Sequence, residues 1–126
     1  MEILDKKICL DTDTVIGILN NEERAVSIIN FIEEFEIFIS VITLFELLLR
    51  ETDLEEIEIF RRKVNVLDFD EESSRKSSDI HKELKRKGKI IEFRDVFIAA
   101  ICIVNNCELV TFNKKHFENI KELKLV

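Results

Sequence analysis

"ICLDTDT", residues 8–14, decides the fold, because it joins a short apolar run to the start of a helical segment. The run ends on Asp11, and Asp13 follows two residues later. An apolar run of this kind, bounded by turn-forming residues, is typical of a buried strand. The acidic pair then has two interpretations: it caps the next helix, or it forms part of a metal site.

The rest of the chain repeats this alternation of apolar runs and segments of helical period. The runs predict strands at 7–10, 36–40, 64–68, 108–111 and 122–125. The longer segments predict helices at 13–20, 23–34, 41–50, 54–62, 71–87 and 94–105. Alternating strands and helices indicate an α/β fold with three layers (α/β/α) and a central, mostly parallel five-stranded sheet. With 126 residues, no proline and no linker-like stretch, we expect one domain, 1–126.

The composition is that of a globular protein, with 46% apolar and 36% charged residues. No apolar stretch approaches the roughly 20 residues of a membrane span, and the N-terminus lacks the pattern of a signal peptide. We therefore expect a cytoplasmic protein with no membrane partner. The net charge of −7 does not by itself favour a nucleic-acid partner, although local basic segments such as 81–89 leave that possibility open.

Four polar residues fall just after predicted strands or in the helices near them: Asp11, Glu46, Asp95 and Asn113. Parallel strands bring such residues to one edge of the sheet. By helical period Glu46 and Asp95 share stripes with apolar residues, and an unpaired carboxylate in apolar surroundings is costly. A divalent cation between converging carboxylates removes this cost, and oxygen ligands favour Mg²⁺ or Mn²⁺. Asp13 could join the site from the first helical turn.

Each of these residues also has an ordinary structural interpretation. Asp11 or Asp13 suits a helix cap, and Asp95 gains from the dipole at a helix start. Glu46 could pair with Arg50 one turn later, and Asn113 suits a turn. Their joint placement at strand ends favours a site over these separate roles.

In order and spacing, "ICLDTDTVIGIL", "ISVITLFELL", "RDVFIAAICIVNNCELVTFNKKHF" and "LKLV" resemble the PIN-domain family, and within it the toxins of VapBC-type toxin–antitoxin pairs. The resemblance implies a parallel sheet between helices, an acidic pocket and metal-dependent cleavage of RNA. It places the family's three acids on Asp11, Glu46 and Asp95, and its fourth position on Asn113. Asp13 falls on a position that often holds Asn.

The resemblance also marks accessory positions and two departures. Thr111 matches the threonine that commonly precedes the fourth position. Asn113 is neutral where many members carry Asp, and His116 stands where many relatives carry an acid. These departures bring a two-metal mechanism into question and leave the three core acids in place.

We interpret Asp11, Glu46 and Asp95 as ligands of one Mg²⁺ or Mn²⁺, with Asn113 positioning water or phosphate. Lys114 and Lys115 are candidate contacts to RNA phosphates. The sequence has no Trp or Tyr, so base stacking falls to Phe residues, most of which are predicted in the core, and we expect little stacking.

The resemblance further implies a homodimer and a small antitoxin protein as partner. Two alternatives remain from the sequence. One is a catalytically weakened PIN-like module that binds RNA or acts as a scaffold. The other, less well matched, is a phosphoacceptor receiver domain with Asp68 or Asp70 as the acceptor.

Overall fold

The protein is described here by a computed structural model that covers residues 6–126. These residues contain four strands: β1 (Lys7–Leu10), β2 (Glu36–Ser40), β3 (Asn65–Leu67) and β4 (Glu108–Val110). Seven α-helices accompany them within the described residues: α1 (Thr12–Leu19), α2 (Val26–Ile32), α3 (Val41–Leu48), α4 (Leu54–Lys63), α5 (Glu71–Arg86), α6 (Phe93–Val104) and α7 (Lys114–Phe117). A 3₁₀ turn, Glu23–Ala25, precedes α2.

The strands form one sheet in the order β3-β2-β1-β4, and every pairing is parallel. Cys9 lies opposite Phe38 on one side and opposite Leu109 on the other. Because all strands run in the same direction, the residues after β1, β2 and β4 emerge at one edge of the sheet.

Alternate residues of the strands point to opposite faces, and each face is covered by helices. On one face Cys9, Phe38 and Leu109 pack with residues of α5 and α6. On the other, Ile8, Leu10 and Ile39 pack with residues of α1, α3 and α4. The predicted three-layer α/β/α arrangement is therefore confirmed.

The predicted five-stranded sheet needs a small correction, because the described residues form four strands. The segment 122–125 contributes a single parallel bridge between Leu109 and Leu125. Its first half is bent by a turn in which the Leu123 amide donates to the Ile120 carbonyl (3.2 Å). Only the last residues then run beside β4.

Gly88 lies two residues after the end of α5 and has φ +68°, the left-handed conformation that glycine adopts without strain. Across residues 6–126, none of the helices has the length and apolar character needed to cross a membrane.

Candidate active site

Asp11 is the first residue after β1, and its carboxylate is fixed by three donors. Oδ1 accepts hydrogen bonds from the Thr14 amide (3.0 Å) and from Thr14 Oγ1 (2.6 Å), while Oδ2 accepts from the Thr111 hydroxyl. Asp11 is only 7% exposed. Burial raises the pKa of Asp11 above its usual 3.8, against the opposing effect of these hydrogen bonds. Asp11 therefore caps α1 through its Oδ1 atom. Its Oδ2 atom lies at the edge of the sheet, where it accepts from Thr111.

Glu46 reaches the same edge from the middle of α3, and it is held from two sides. Oε1 accepts from Thr12 Oγ1 (2.5 Å), and Oε2 lies 2.6 Å from Arg94 Nη1. The alternative pairing with Arg50 is absent in the described chain, since Arg50 pairs with Asp53 (3.3 Å). The Glu46 carboxylate is therefore directed toward α1 and α6.

Asp95 lies in the first turn of α6 and faces the C-terminal part of the chain. Its Oδ2 is 3.2 Å from Nδ1 of His116. Partial burial raises the pKa of Asp95 above 3.8, and the negative charges of Asp11 and Glu92 add to this effect, while the His116 contact opposes it. The negative charge of Asp11 thus acts on Asp95 across the site.

These three carboxylates line one cavity of about 210 Å³, which we call the acidic cavity. Its walls come from α1, α3, α6, α7 and the loops next to them. The lining residues are Asp11, Thr12, Asp13, Glu46, Glu92, Arg94, Asp95, Ile98, Asn113, His116 and Phe117. Arg94 is the only Lys or Arg side chain among them in the described part of the protein.

The acids share this cavity without forming a compact ligand cluster. Within residues 6–126, no three His, Cys, Asp or Glu side chains lie close enough together to hold a metal ion. Each carboxylate instead has its own protein partner. The donor set of three carboxylates nevertheless suits a hard divalent cation, and the Arg94 contact shows that Glu46 already attracts a positive group. The residues fit Mg²⁺ or Mn²⁺ chemically, provided that their side chains move toward a common point.

The accessory residues fall into two groups. Asp13, Asn113 and His116 are exposed side chains on the wall of the acidic cavity. Thr111 is buried; its hydroxyl donates to Asp11 and accepts from the Asn113 amide (3.0 Å). Thr111 therefore ties the loop after β4 to the loop after β1.

The two predicted RNA-contacting lysines lie outside the acidic cavity. Both are exposed, and Lys114 lines a separate cavity that also includes Arg24 and Phe112. The Arg24 guanidinium stacks over the Phe112 ring at 4.0 Å. The structure thus brings together the predicted acids and Asn113, and places the lysines beside them on the surface.

Reasoning from the sequence missed three side chains that control the acids: Thr12, Thr14 and Arg94. The threonines alternate with the acids in "DTDT", a pattern that could have indicated hydroxyl donors. Arg94 directly precedes Asp95. An arginine next to a candidate acidic ligand in a first helical turn could have indicated that its guanidinium pairs with an acid of the site.

A parallel sheet between two helical layers, with carboxylates gathered at its carboxyl edge, is the architecture of an α/β domain with an acidic site. The PIN domain family matches residues 8–123, so this chain belongs to the PIN domain family. Ribonuclease VapC1 of Methanocaldococcus jannaschii is 38% identical to it over 131 residues, covering 99% of this chain and 89% of that protein.

A second relative and a solved structure are also similar to nearly the whole chain. The tRNA(fMet)-specific endonuclease VapC of Salmonella typhimurium is 30% identical, with 94% of this chain and 96% of that protein covered. The crystal structure of a DNA-bound VapBC from Salmonella typhimurium has a TM-score of 0.82 and 29% identity, covering 96% of this chain and 97% of that chain. The predicted resemblance is confirmed.

Proposed function

We propose that this protein is a Mg²⁺- or Mn²⁺-dependent ribonuclease that hydrolyses phosphodiester bonds, and that it acts as the toxin of a VapBC-type pair. The main support is that Asp11, Glu46 and Asp95, from three different elements, line one cavity at the carboxyl edge of the sheet. The relatives named ribonuclease and endonuclease VapC support the reaction class.

In this proposal Asp11, Glu46 and Asp95 hold the divalent cation, directly or through water. When bound, the cation would lower the pKa of a coordinated water and offset negative charge on the phosphate. Binding would require the Glu46 carboxylate to exchange its 2.6 Å contact with Arg94. The cation would replace the positive charge of Arg94, whose side chain is 61% exposed and returns to water, beside a Glu46 side chain that is only 14% exposed.

The remaining groups orient the acids and the substrate. Thr14 and Thr111 hold the Asp11 carboxylate at the edge of the sheet through hydrogen bonds. Thr12 does the same for Glu46. Asn113 is exposed at the cavity wall, where its amide can donate to a phosphate oxygen or to a water. A neutral residue here limits the site to one strongly bound cation.

RNA is the proposed substrate, and its backbone would extend over the surface beside the acidic cavity. Lys114 and Lys115 are exposed at the start of α7, next to Asn113, and can contact flanking phosphates. They would add affinity without base specificity.

A small antitoxin and a second copy of the chain are the proposed protein partners. Structures of related VapBC complexes support the antitoxin. Exposed apolar side chains on α3 and just after it, Phe45 (61%), Leu48 (48%) and Leu49 (65%), support a protein-binding surface there. We also propose that residues 1–126 act as one domain in the cytoplasm.

A second candidate is a catalytically weakened PIN-like module that binds RNA or acts as a scaffold. Two observations favour it: the acids do not form a compact cluster within the described residues, and Asn113 is neutral. The receiver-domain alternative has lost its support, since the chain is a PIN domain and Asp70 instead caps α5, with its carboxylate accepting from the Ser73 amide (2.8 Å).

RNA cleavage by the purified protein tests the proposal. Wild type should cleave single-stranded RNA with Mg²⁺ or Mn²⁺ and stop when EDTA is added. Asp11→Asn, Glu46→Gln and Asp95→Asn should each lower the rate roughly 100-fold or more. The matched control is Asp79→Asn, which removes an exposed carboxylate outside the acidic cavity. Metal binding without cleavage of any RNA would favour the weakened module, and full activity of Asp11→Asn would contradict the assigned site.

A further inference from the structure

A second cavity lies between α5 and the start of α6, and we call it the aromatic cavity. It has a volume of about 360 Å³, and four aromatic rings line it: Phe69, His81, Phe93 and Phe97. Ser74, Ser77, Ser78, Lys82 and Val96 complete the lining. None of the functions considered above uses this cavity.

The rings form a connected series that ends on an exposed face. Phe69 and Phe97 have centroids 4.8 Å apart, and Phe97 and Phe93 are nearly parallel at 20° with centroids 6.1 Å apart. His81 meets Phe93 edge to face at 5.1 Å. Phe93 is 60% exposed although it begins a helix whose other apolar residues are largely buried. An ordered aromatic ring exposed to this extent offers a surface for stacking.

The charge around the aromatic cavity differs from that of the protein as a whole. The chain has a net charge of −7, yet within residues 6–126 no Asp or Glu lines this cavity. Its polar lining consists of serine hydroxyls, His81 and the Lys82 ammonium group. Hydroxyls can pair with the edges of a base, and a lysine can pair with a phosphate. The lining therefore suits an aromatic ligand that carries negative charge.

Residues that are adjacent in sequence line the aromatic cavity and the acidic cavity. Glu92 and Arg94, the neighbours of Phe93, both line the acidic cavity. The first turn of α6 thus separates the two cavities and contributes to both. A strand of RNA with one phosphate at the acidic cavity would run close to the first turn of α6, which carries Phe93.

We propose that the aromatic cavity is a nucleobase subsite, in which a base of single-stranded RNA stacks on Phe93 next to the scissile phosphate. This inference rests on the proposed ribonuclease function and assigns Phe93 as a residue that positions the substrate. Exposed aromatic rings are the usual means by which proteins hold unpaired bases.

The protein contains no Trp and no Tyr, which allows a direct spectroscopic test. Phe93→Trp introduces the sole strong fluorophore at the proposed subsite. Titration with a short single-stranded RNA in EDTA, which prevents metal-dependent cleavage, should quench the indole emission in a saturable manner. The same RNA with one nucleotide replaced by an abasic residue at the stacking position, found by moving the replacement along the strand, should quench less.

Affinity measurements supply the second test, with a matched control. Phe93→Ala should weaken binding of the single-stranded RNA about tenfold, because one stacked base is lost. Ile59→Ala removes an apolar side chain of α4 that is 40% exposed and lies outside the aromatic cavity, and should leave RNA affinity within about twofold of wild type.

The outcomes separate this inference from the ribonuclease proposal. Quenching and a Phe93 effect in a protein that cleaves no RNA would support the subsite and contradict only the enzymatic activity. Absence of quenching, or equal RNA affinities for Phe93→Ala and wild type, would overturn the subsite. Conversion of a dimer to a monomer by Phe93→Ala, measured by light scattering, would show that a second copy covers this face and would also overturn it.

Discussion

The Arg94 guanidinium lies 2.6 Å from Glu46 Oε2 and, through its other amino group, 2.6 Å from Glu92 Oε2. Arg94 thus binds two carboxylates of the acidic cavity at once. Both contacts raise the pKa of Arg94, and the contact with Glu92 has the largest effect. A bound divalent cation and Arg94 would therefore compete for the same oxygen of Glu46.

The first prediction follows from this competition. Arg94→Ala should increase the affinity for Mn²⁺ about fivefold, because an ion pair of about 1 kcal/mol, of which only the arginine is exposed, no longer has to be replaced. Isothermal titration calorimetry with Mn²⁺ measures this. Arg75→Ala, which removes an exposed arginine that pairs with Glu71 outside the acidic cavity, should leave the affinity unchanged. Weaker Mn²⁺ binding by Arg94→Ala would mean that Arg94 holds Glu46 in a binding geometry.

The second prediction concerns the pH dependence of metal binding. Burial raises the pKa values of Asp11 and Asp95 above 3.8, and both groups must lose a proton to bind a cation. The affinity for Mn²⁺ should therefore rise with pH through this raised range and then level off. Titrations in buffers of different ionisation enthalpy should detect released protons at the lower pH values. Affinity that stays constant across the range would contradict the participation of these two acids.

The third prediction concerns stability and Asp11. A carboxyl whose pKa is raised in the folded state binds more protons there than in the unfolded chain. The contribution of Asp11 to the free energy of unfolding should therefore decrease as pH rises from about 4 through the raised pKa, and stay constant above it. In Asp11→Asn this pH-dependent contribution should be absent, because asparagine does not ionise.

Urea denaturation over a pH series measures this effect. Near neutral pH the Asp11→Asn variant should be at least as stable as wild type, because it no longer buries a charge. A loss of more than about 1 kcal/mol at pH 7 would show that the hydrogen bonds to the carboxylate outweigh the cost of its burial.

The fourth prediction concerns Thr111, whose buried hydroxyl donates to Asp11 and accepts from the Asn113 amide. Thr111→Val keeps the shape and removes both bonds, so the free energy of unfolding should fall by about 1–3 kcal/mol. Thr111→Ser should restore most of this loss, since it keeps the hydroxyl. Chemical denaturation of the three proteins gives the comparison, and equal stability of the Val variant and wild type would show that Asp11 does not need this donor.

Much of the fold was predictable because the strands are short apolar runs and the sheet is parallel. The predicted strand at 36–40 matches β2, and the helix predicted at 71–87 nearly matches α5, Glu71–Arg86. The structure of segment 122–125 could not be predicted from its apolar pattern, because that pattern is the same for a full strand and for a single bridge at Leu125. The short helix α7 was not predicted, since four residues are too few to show a helical period.

That Asp11, Glu46 and Asp95 lie near one another could be predicted from the sequence, but their contacts could not. By helical period Glu46 shares a stripe with Phe45 and Leu49, which predicts an apolar environment, yet these two side chains are 61% and 65% exposed. Glu46 is nevertheless largely covered, with 14% side-chain exposure, because Arg94 and Thr12 lie against it. Such contacts join residues 34 to 48 positions apart, so no local pattern reveals them.

The central claim is that Asp11, Glu46 and Asp95 bind one divalent cation together. A crystal of the protein soaked in MnCl₂, with anomalous diffraction measured near the manganese edge, tests it most directly. We predict one peak in the acidic cavity, with carboxylate oxygens of these residues at roughly 2.0–2.6 Å or linked to the ion through water. We also predict that the Arg94 guanidinium withdraws from Glu46. A crystal saturated with Mn²⁺ that shows no peak in this cavity, or one bound by none of the three acids, would contradict the claim.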